Sequence, residues 1–406
     1  MKKHFILLSL FISVCVQQIN AANDFVNEWT KKPTMPAEGR HRSAGAMVGD
    51  KCYWGTGHYN AGVIKDFNDW WEFDPSTNSC TQKANIPGIG RYGTFYFADA
   101  KKVFVGMGRS QAINNWYNDF YSFDPITNTW TTLAPFPGGP RATGVSIYCK
   151  NKGYVGLGYY NGQPNDWWEY DIATNVWSMK PNFPGGERLS PFWFTLNDKC
   201  YVGTGSYASD LWEYDPATSI WTGKAPFPGG PRSEACGFAF MGKGYAGTGL
   251  DWNANDYKDF WVYDALTNVW DSANKFEGTA RRYMVSMNNI TQTKAYAGLG
   301  TNGINQSDLW EFGPFTVGVQ NQQNMNSKIN VYPNPIVDKG TFEIIAESNT
   351  SFIIEIYDNA GRKVRTIENV TSGKTTFDKV DLRDGIYYYS VKENNKSIYS
   401  GKIILQ

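Results

Sequence analysis

Residues 209–232 read SDLWEYDPATSIWTGKAPFPGGPR, and near-copies of this text recur along most of the chain. An aspartate opens the run, aromatic and polar residues then alternate up to an Asp-Pro pair, a second tryptophan follows, and PFPGGPR ends in an arginine. Alternation with a period of two predicts a β-strand, and Asp-Pro predicts a turn after it. The stretch therefore predicts two antiparallel strands joined by a tight turn.

The repeated unit occurs six times between residues 25 and 313. A Gly-x-Gly follows the arginine after fifteen residues in the first five copies and after seventeen in the sixth. Successive arginines are 51, 50, 47, 44 and 49 residues apart. A period near fifty with strand-like content predicts a β-propeller of four-stranded blades. The arginines are Arg40, Arg91, Arg141, Arg188, Arg232 and Arg281.

The sixth copy lacks its last strand, because it stops at Gly313 without a tryptophan run. A similar tryptophan-containing segment, NEWTKKPTMP, lies at residues 27–36, before the first copy begins. We therefore predict that residues 25–33 form the outermost strand of the last blade. This strand would close the ring without a covalent link and leave no open sheet edge.

The order of Gly-x-Gly, Tyr-Asp-Pro and tryptophan resembles the kelch repeat family over about 290 residues. The family's usual Gly-Gly doublet is replaced here by GTG, GMG or GLG. The resemblance implies an all-β fold with a six-bladed kelch β-propeller over residues 22–316. It implies little about activity, because propellers carry many functions.

The C-terminal residues have a different composition. Residues 317–328, VGVQNQQNMNSK, predict a linker, and the short alternating runs of residues 329–406 predict a small immunoglobulin-like β-sandwich. This tail resembles the C-terminal sorting domain of type IX secretion cargo. The resemblance implies the type IX machinery as a partner, with passage through the outer membrane and then release or attachment at the cell surface. The matching segments are INVYPNP (329–335), IEIYDNAGRKV (354–364), LRDGIYYYSV (382–391) and KIIL (402–405).

Residues 1–21 predict a secretory signal peptide, since a basic start is followed by an apolar stretch and small residues. No later run is apolar enough to predict a transmembrane segment. The 38 basic and 38 acidic residues balance, which argues against a nucleic-acid partner and against a polybasic membrane tether. Aromatic residues make up 16% of the chain, a content that excludes intrinsic disorder.

Without residues 1–21, five cysteines remain, and none forms a CxxC pair. A zinc site is therefore not expected, and most of these thiols should be buried apolar residues. The sequence contains no nucleophile elbow, P-loop, HExxH or dinucleotide fingerprint, so we expect no cofactor. The cysteines are Cys52, Cys80, Cys149, Cys200 and Cys236.

The repeated arginines admit two interpretations. At the rim of the central channel they could form a cationic ring for carboxylate or phosphate ligands, with Arg91, Arg141, Arg188 and Arg232 as candidate ligand-binding residues. Alternatively, each arginine pairs with a blade glutamate such as Glu72, Glu169, Glu213 or Glu311. The aspartates that open the third strands are expected to cap turns. These are Asp69, Asp119, Asp166, Asp210, Asp259 and Asp308.

The loops after each Gly-x-Gly differ between copies and are the better candidates for a ligand site. They carry Tyr59, Trp116, Tyr160, Tyr207 and Trp252 among asparagines and glutamines. Aromatic faces with amide donors match the apolar faces and hydroxyls of a sugar. Packing on adjacent blades is the alternative. In kelch proteins these loops share a face with the arginine rim, so we expect binding on that face.

The two remaining histidines should lie together. If Gly49-Asp50 forms a two-residue hairpin turn, His41 and His58 face each other at the top of the first blade. With Tyr59 nearby they are candidates for metal binding or acid–base work, and chance placement in a solvated loop is the alternative. Galactose oxidase shares the kelch architecture and binds copper through two histidines and two tyrosines, one linked to a cysteine. The present sequence offers no matching Tyr–Cys pair and no further histidine after residue 58.

Together these patterns predict a secreted or cell-surface binding module for a glycan or an extracellular protein. A carbohydrate-active enzyme, similar to a sialic acid mutarotase or epimerase or to galactose oxidase, is the alternative. A structural adhesin without a small ligand is a third possibility.

Overall fold

The computed structural model describes residues 27–314, 327–346, 351–358, 363–393 and 396–406. The predicted signal peptide (1–21) and most of the predicted linker (317–326) lie outside these ranges. One unit comprises residues 27–315, and a second contains residues 316–406. Regular structure in the described residues is all β-strand, and they include no helix able to cross a bilayer.

Six four-stranded antiparallel sheets build the larger unit, as a six-bladed β-propeller requires. The innermost strand of each blade contacts that of the next, and blade 6 contacts blade 1, so the ring is closed. The strands of blades 1 to 3 are Ala44–Val48, Lys51–Gly55, Trp70–Asp74 and Ser79–Lys83; Phe95–Ala98, Val103–Gly106, Phe120–Asp124 and Thr129–Thr132; and Val145–Cys149, Lys152–Gly156, Trp167–Asp171 and Val176–Lys180. Those of blades 4 to 6 are Phe192–Leu196, Lys199–Gly203, Leu211–Asp215 and Ile220–Lys224; Cys236–Phe240, Lys243–Gly247, Phe260–Asp264 and Val269–Ala273; and Val285–Asn288, Ala295–Gly298 and Leu309–Pro314, with a fourth strand from the start of the chain.

That fourth strand is Asn27–Lys31, which pairs antiparallel with Leu309–Pro314. Trp29 lies opposite Phe312, is 5% exposed, and packs among aromatic rings of blades 5 and 6. A strand that precedes the first repeat thus supplies the fourth strand of the sixth blade, and Leu309–Pro314 becomes an inner strand of that sheet.

The Gly-x-Gly at the end of each second strand follows from crowding and backbone twist. A Cβ on Gly55 would lie 2.1 Å from the carbonyl oxygen of Asp69, where no side chain fits. Gly57 has a φ of +107°, which an L side chain rarely adopts. The chain can therefore leave the second strand sharply and enter the loop beside the channel.

The repeated arginines are structural, as blade 3 illustrates. Arg141 is 4% exposed, and its guanidinium donates to Asp166 at 2.6 and 3.0 Å and to the carbonyl oxygen of Leu157 at 3.3 Å. The indole nitrogen of Trp168 donates to the same aspartate at 2.8 Å. Each blade holds the corresponding pair: Arg40–Asp69, Arg91–Asp119, Arg141–Asp166, Arg188–Asp210, Arg232–Asp259 and Arg281–Asp308.

Two sequence expectations are therefore wrong. The arginines pair with the aspartates that open the third strands rather than with blade glutamates, and those aspartates are not turn caps. The glutamates accept hydrogen bonds from tyrosine and lysine instead; Glu169 accepts from the Tyr154 hydroxyl at 2.8 Å and pairs with Lys180 at 3.3 Å. Only the aspartate reaches the arginine, because it lies where the third strand begins, next to the rim.

The five described cysteines are free, as expected of apolar filling residues. Cys80 is half-buried and the other four are buried. Burial raises the pKa of the Cys236 thiol to about 12, which leaves it protonated and unreactive at neutral pH.

The C-terminal unit is a β-sandwich. The strands are Ser327–Tyr332, Lys339–Ala346, Phe352–Tyr357, Lys363–Val370, Gly373–Asp378, Gly385–Glu393 and Lys396–Leu405. The first, second and fifth form one sheet, and the other four form the second sheet. Buried residues of both sheets, such as Phe342, Ile354 and Ile403, share one core. The first strand begins at Ser327, two residues before the predicted start of this domain.

Candidate functional site

Six residues surround the mouth of the central channel, and each follows a repeated arginine by two positions. Every one has a φ between 53° and 63°, in the left-handed region. The backbone N–H of each of the last five donates to the carbonyl oxygen of the preceding member at 2.8–2.9 Å. The backbone geometry is thus repeated while the side chains differ. We call these residues the mouth ring: Arg42, Gly93, Thr143, Ser190, Glu234 and Tyr283.

The mouth ring lines a cavity of about 70 Å³, with Tyr96, Trp193 and Met284 among the other lining residues. One half of the ring carries no side chain or a small one, at Gly93, Thr143 and Ser190. The other half carries the large polar side chains of Arg42, Glu234 and Tyr283. This asymmetry breaks the sixfold repeat, and the scaffold does not require it.

The polar half is tightly connected. The guanidinium of Arg42 lies 3.7 Å from the centre of the Tyr283 ring and donates to the Tyr283 hydroxyl at 2.5 Å. That hydroxyl in turn donates to Oε1 of Glu234. Burial raises the pKa of Tyr283, so the phenol stays protonated and able to donate.

Glu234 is largely buried, and burial raises the pKa of its carboxyl against the opposing effects of the Tyr283 hydrogen bond and the Arg42 charge. Its Oε2 lies 3.5 Å from Nε of Arg282 but has no hydrogen-bond donor. Arg282 donates instead to Asp256 at 3.0 and 3.1 Å. The hydroxyl of the neighbouring Ser190 is likewise buried without a partner. Two buried polar atoms of the cavity wall thus have no hydrogen-bond partner, an arrangement that calls for a ligand or solvent contact.

His41 and His58 are directly paired, as the hairpin register predicts, with ring centres 5.3 Å apart. Both are buried. Nδ1 of His58 hydrogen-bonds Asp66 at 2.7 Å, whereas burial and the nearby Arg42 charge lower the pKa of His41 to about 3. His41 is therefore neutral at physiological pH. In the described parts of the chain, no three His, Cys, Asp or Glu residues are grouped so as to hold a metal.

The loop aromatics fall into separate groups. Trp116 contacts Tyr159 and Tyr160, with ring centres 5.7 and 5.3 Å apart, and Tyr207 contacts Trp252 at 4.8 Å. Tyr59 lies apart from both groups, under Lys65, whose ammonium is 5.7 Å from the ring centre. All begin on the face of the mouth ring, because the first loop residue pairs with the residue after the arginine, as in Ala142 with Tyr159.

The proposed ligand role of Arg91, Arg141, Arg188 and Arg232 is not supported. Each is at most 7% exposed, and each guanidinium is occupied by an aspartate and a backbone carbonyl. A ligand would have to break that buried pair to reach the charge, at a cost of several kcal/mol, roughly 3–5.

Sequence reasoning missed the mouth ring and Arg282. A signal was present, since residues that vary between copies are better functional candidates than residues that repeat. The position two residues after each arginine varies from glycine to tyrosine. Its placement at the mouth became visible only when the blades closed into a ring.

The sixth copy's two extra residues lie at the end of blade 6 that is opposite the mouth ring. They enlarge the turn between the first two strands of blade 6. There Gln292 accepts a hydrogen bond from the backbone of Met241 in blade 5 at 2.7 Å and donates to Thr195 of blade 4 at 2.9 Å. This turn therefore links blades 4, 5 and 6 at that end.

In comparison with known families, residues 330–406 match the secretion system C-terminal sorting domain. The C-terminal unit is a type IX sorting domain. It indicates export by the type IX machinery and attachment at the cell surface or outer membrane. None of the curated proteins compared matches the chain.

The propeller resembles a solved structure titled "Structure of YjhT", with a TM-score of 0.57 and 16% identity over 68% of this chain and 95% of that chain. At that identity the likeness concerns the fold alone.

In the described part of the sorting domain, the buried carboxylate of Glu355 is surrounded by hydrogen-bond donors. It accepts from Tyr357 and pairs with Lys392 at 2.6 Å and Lys363 at 3.1 Å. Burial alone would raise the pKa of this carboxyl, but the lysines and the tyrosine outweigh burial and lower it to about 2. Glu355 therefore joins neighbouring strands of one sheet as a charged residue.

Proposed function

We propose that the protein is a secreted or cell-surface binding module of the kelch type, and that its propeller binds a glycan at the mouth ring. The observation that carries the proposal is the pair of buried atoms without a hydrogen-bond partner in the cavity wall, Oε2 of Glu234 and Oγ of Ser190. A carboxylate oxygen accepts hydrogen bonds, and a serine hydroxyl both donates and accepts. Sugar hydroxyls supply such partners side by side.

The surrounding residues suit the same ligand class. Arg42 and Tyr283 hold Glu234 in place, so the site is organised before a ligand arrives. The cavity, at about 70 Å³, is far smaller than the roughly 300–1,000 Å³ of an enclosing ligand pocket. A bound sugar would insert one edge among the ring residues and lie with most of its body on the loop-rich face.

Glycan-array screening of the full chain, followed by calorimetry on the best hit, tests this proposal. Glu234→Gln keeps the acceptor for Tyr283 but removes the charge, and we expect about a tenfold or greater loss of affinity, since hydrogen bonds to charged groups contribute about 1.5–3 kcal/mol. Ser190→Ala should weaken binding about two- to tenfold.

The matched control is Glu277→Gln. Glu277 is an exposed glutamate that, like Glu234, lies in a segment connecting two blades. It should bind as the parent does. Unchanged affinity in both Glu234→Gln and Ser190→Ala would refute the site. An empty array together with capture of a glycan-free extracellular protein would favour a protein ligand.

The raised pKa of Glu234 favours a second candidate, a sugar-converting enzyme such as a mutarotase. A buried carboxyl with a raised pKa, hydrogen-bonded to Tyr283 beside Arg42, has the features of an acid–base group. Proton transfer at the anomeric centre of a bound sugar would be its task. NMR measurement of anomer exchange, with parent and Glu234→Gln proteins, tests it; exchange no faster than in buffer would exclude this activity for the sugars used.

A further inference from the structure

Two groups of loop aromatics, one on blades 2 and 3 and one on blades 4 and 5, are joined by a hydrogen bond between their loops. Trp116 of blade 2 contacts Tyr160 of blade 3 at 5.3 Å between ring centres. The loop of blade 3 is joined to that of blade 4 through Gln163, whose side-chain oxygen accepts a hydrogen bond from the Ser206 hydroxyl at 2.9 Å. The next residue, Tyr207, packs edge-on against Trp252 of blade 5 at 4.8 Å. We call this set the aromatic arc: Trp116, Tyr159, Tyr160, Tyr207 and Trp252.

We infer that the ligand is a glycan chain of several sugar units, with one unit at the mouth ring and the following units on the aromatic arc. The inference rests on the proposed function and deepens it, because it selects a polymer over a single sugar. The small cavity leaves most of any ligand outside the mouth, and the aromatic arc is the surface that lies beside it.

Exposure of three of its five rings supports a binding role for the aromatic arc, in which Trp116 and Tyr207 are half-buried. Trp252 is 79% exposed, Tyr159 42% and Tyr160 39%, whereas the tryptophans Trp54, Trp70 and Trp167 of the blade core are fully buried. Exposing a flat aromatic surface to water is energetically unfavourable, and these exposed ring faces contribute little to the packing of the blades. Sugar rings present apolar faces of the kind that stack on such surfaces.

Backbone strain points the same way. Ser206 and Tyr207 are consecutive and both left-handed, with φ values of 44° and 59°. A tyrosine in this region is an outlier, and strained residues of this kind concentrate at binding sites. The Ser206 hydroxyl accepts from the backbone of Leu189 at 2.9 Å, so the strained turn is fixed in place. In this backbone conformation the Tyr207 ring packs against Trp252 rather than in the core.

Polar groups accompany the rings. Arg109 lies 4.8 Å from the centre of the Trp116 ring, and Gln163 lies where the loops of blades 3 and 4 meet. Both offer donors to hydroxyls beside an apolar surface. The charged residues Arg42, Glu234 and Arg282 lie on blades 1, 5 and 6, so the face combines one polar sector with one aromatic sector.

The test uses the full chain and the β-1,4-linked glucose, mannose and xylose series, each from the monosaccharide to the hexasaccharide, measured by calorimetry. At least one series should gain about tenfold or more in affinity with length, since each aromatic contact contributes about two- to tenfold. Trp252→Ala should remove most of that gain and leave monosaccharide affinity unchanged. Its matched control is Leu266→Ala, which removes another exposed apolar side chain, 87% exposed, from a turn outside the arc.

Each outcome decides between the proposals. The aromatic-arc inference is overturned if monosaccharides bind but affinity does not rise with the number of sugar units, or if that rise survives Trp252→Ala. Either result leaves the mouth-ring site standing. Absence of binding by every sugar tested, large and small, overturns the inference and counts against the glycan function as well. If Trp252→Ala unfolds at the same temperature as the parent, a loss of the length-dependent affinity reflects binding rather than folding.

Discussion

Replacing Trp29 with alanine should destabilise the whole propeller, although this residue belongs to an outermost strand. The side chain is 5% exposed and touches four phenylalanines of blades 5 and 6, with ring centres 4.8–5.8 Å away. Truncating a buried tryptophan typically costs about 3–5 kcal/mol. Because residues 27–31 complete the last blade, the loss should appear in the free energy of unfolding of the entire ring.

A second variant separates packing from hydrogen bonding. The indole nitrogen of Trp29 is buried without a partner, and such an unsatisfied donor costs about 1–3 kcal/mol. Trp29→Phe removes that donor and keeps most of the aromatic contact. Removing the unsatisfied donor stabilises the fold and the smaller ring destabilises it. The two effects offset each other, so we expect the free energy of unfolding to change by less than about 1.5 kcal/mol, as for conservative core substitutions.

Urea unfolding followed by tryptophan fluorescence measures both effects. All 16 tryptophans precede residue 311, so the signal reports the propeller and not the sorting domain. Trp252→Ala is the control, because an exposed side chain should change the free energy of unfolding by no more than about 0.5 kcal/mol. A loss below about 1 kcal/mol in Trp29→Ala would refute the reasoning, because a buried side chain in a closing strand should cost several times more.

Three further changes have calculable outcomes. Asp166→Leu should cost about 3–5 kcal/mol in urea unfolding, since it leaves the charge of Arg141 buried without its partner, whereas Asp271→Leu at an exposed position should be nearly neutral. Gly106→Ala places a Cβ 2.3 Å from the carbonyl oxygen of Asp119 and should cost about 1–3 kcal/mol, while Gly313→Ala, with open space around it, should not; equal stabilities would contradict the crowding argument. In the sorting domain, the lowered pKa of Glu355 means that its stabilising effect is present above its ordinary value of 4.5 and is lost as pH falls towards about 2. Hydrogen-exchange protection of sorting-domain peptides, corrected for the intrinsic exchange rate at each pH, should therefore fall over that interval in the parent, and Glu355→Gln should lack this fall.

Local patterns carried the sequence predictions that the structure bears out. The pairing of His41 with His58 could be predicted because a two-residue turn fixes the register of the strands beside it. The sandwich of the C-terminal unit followed from alternating runs that bury one side of each strand. Both depend on residues that are neighbours in one hairpin or one strand.

Long-range partners were not predictable in this way. Arg141 and Asp166 are separated by 25 residues, and several carboxylates lie within the same blade, so composition alone could not select the right one. Once the blade is folded, the aspartate at the start of the third strand is the carboxylate that reaches the rim. The repeat had marked these arginines as candidate ligand residues, yet their repetition reflects the same buried ion pair built six times.

The number of blades, the strand that completes the last one and the presence of a different C-terminal domain could all be predicted from the order of residues, because periodicity, alternation and turn residues act over short distances along the chain. The location of the candidate site depends instead on how the blades assemble. Closing six blades into a ring brings Arg42, Glu234 and Tyr283 together from positions up to 241 residues apart, and it buries the arginines that the sequence made conspicuous. Contacts of that kind depend on the geometry of the closed ring, which no local pattern encodes.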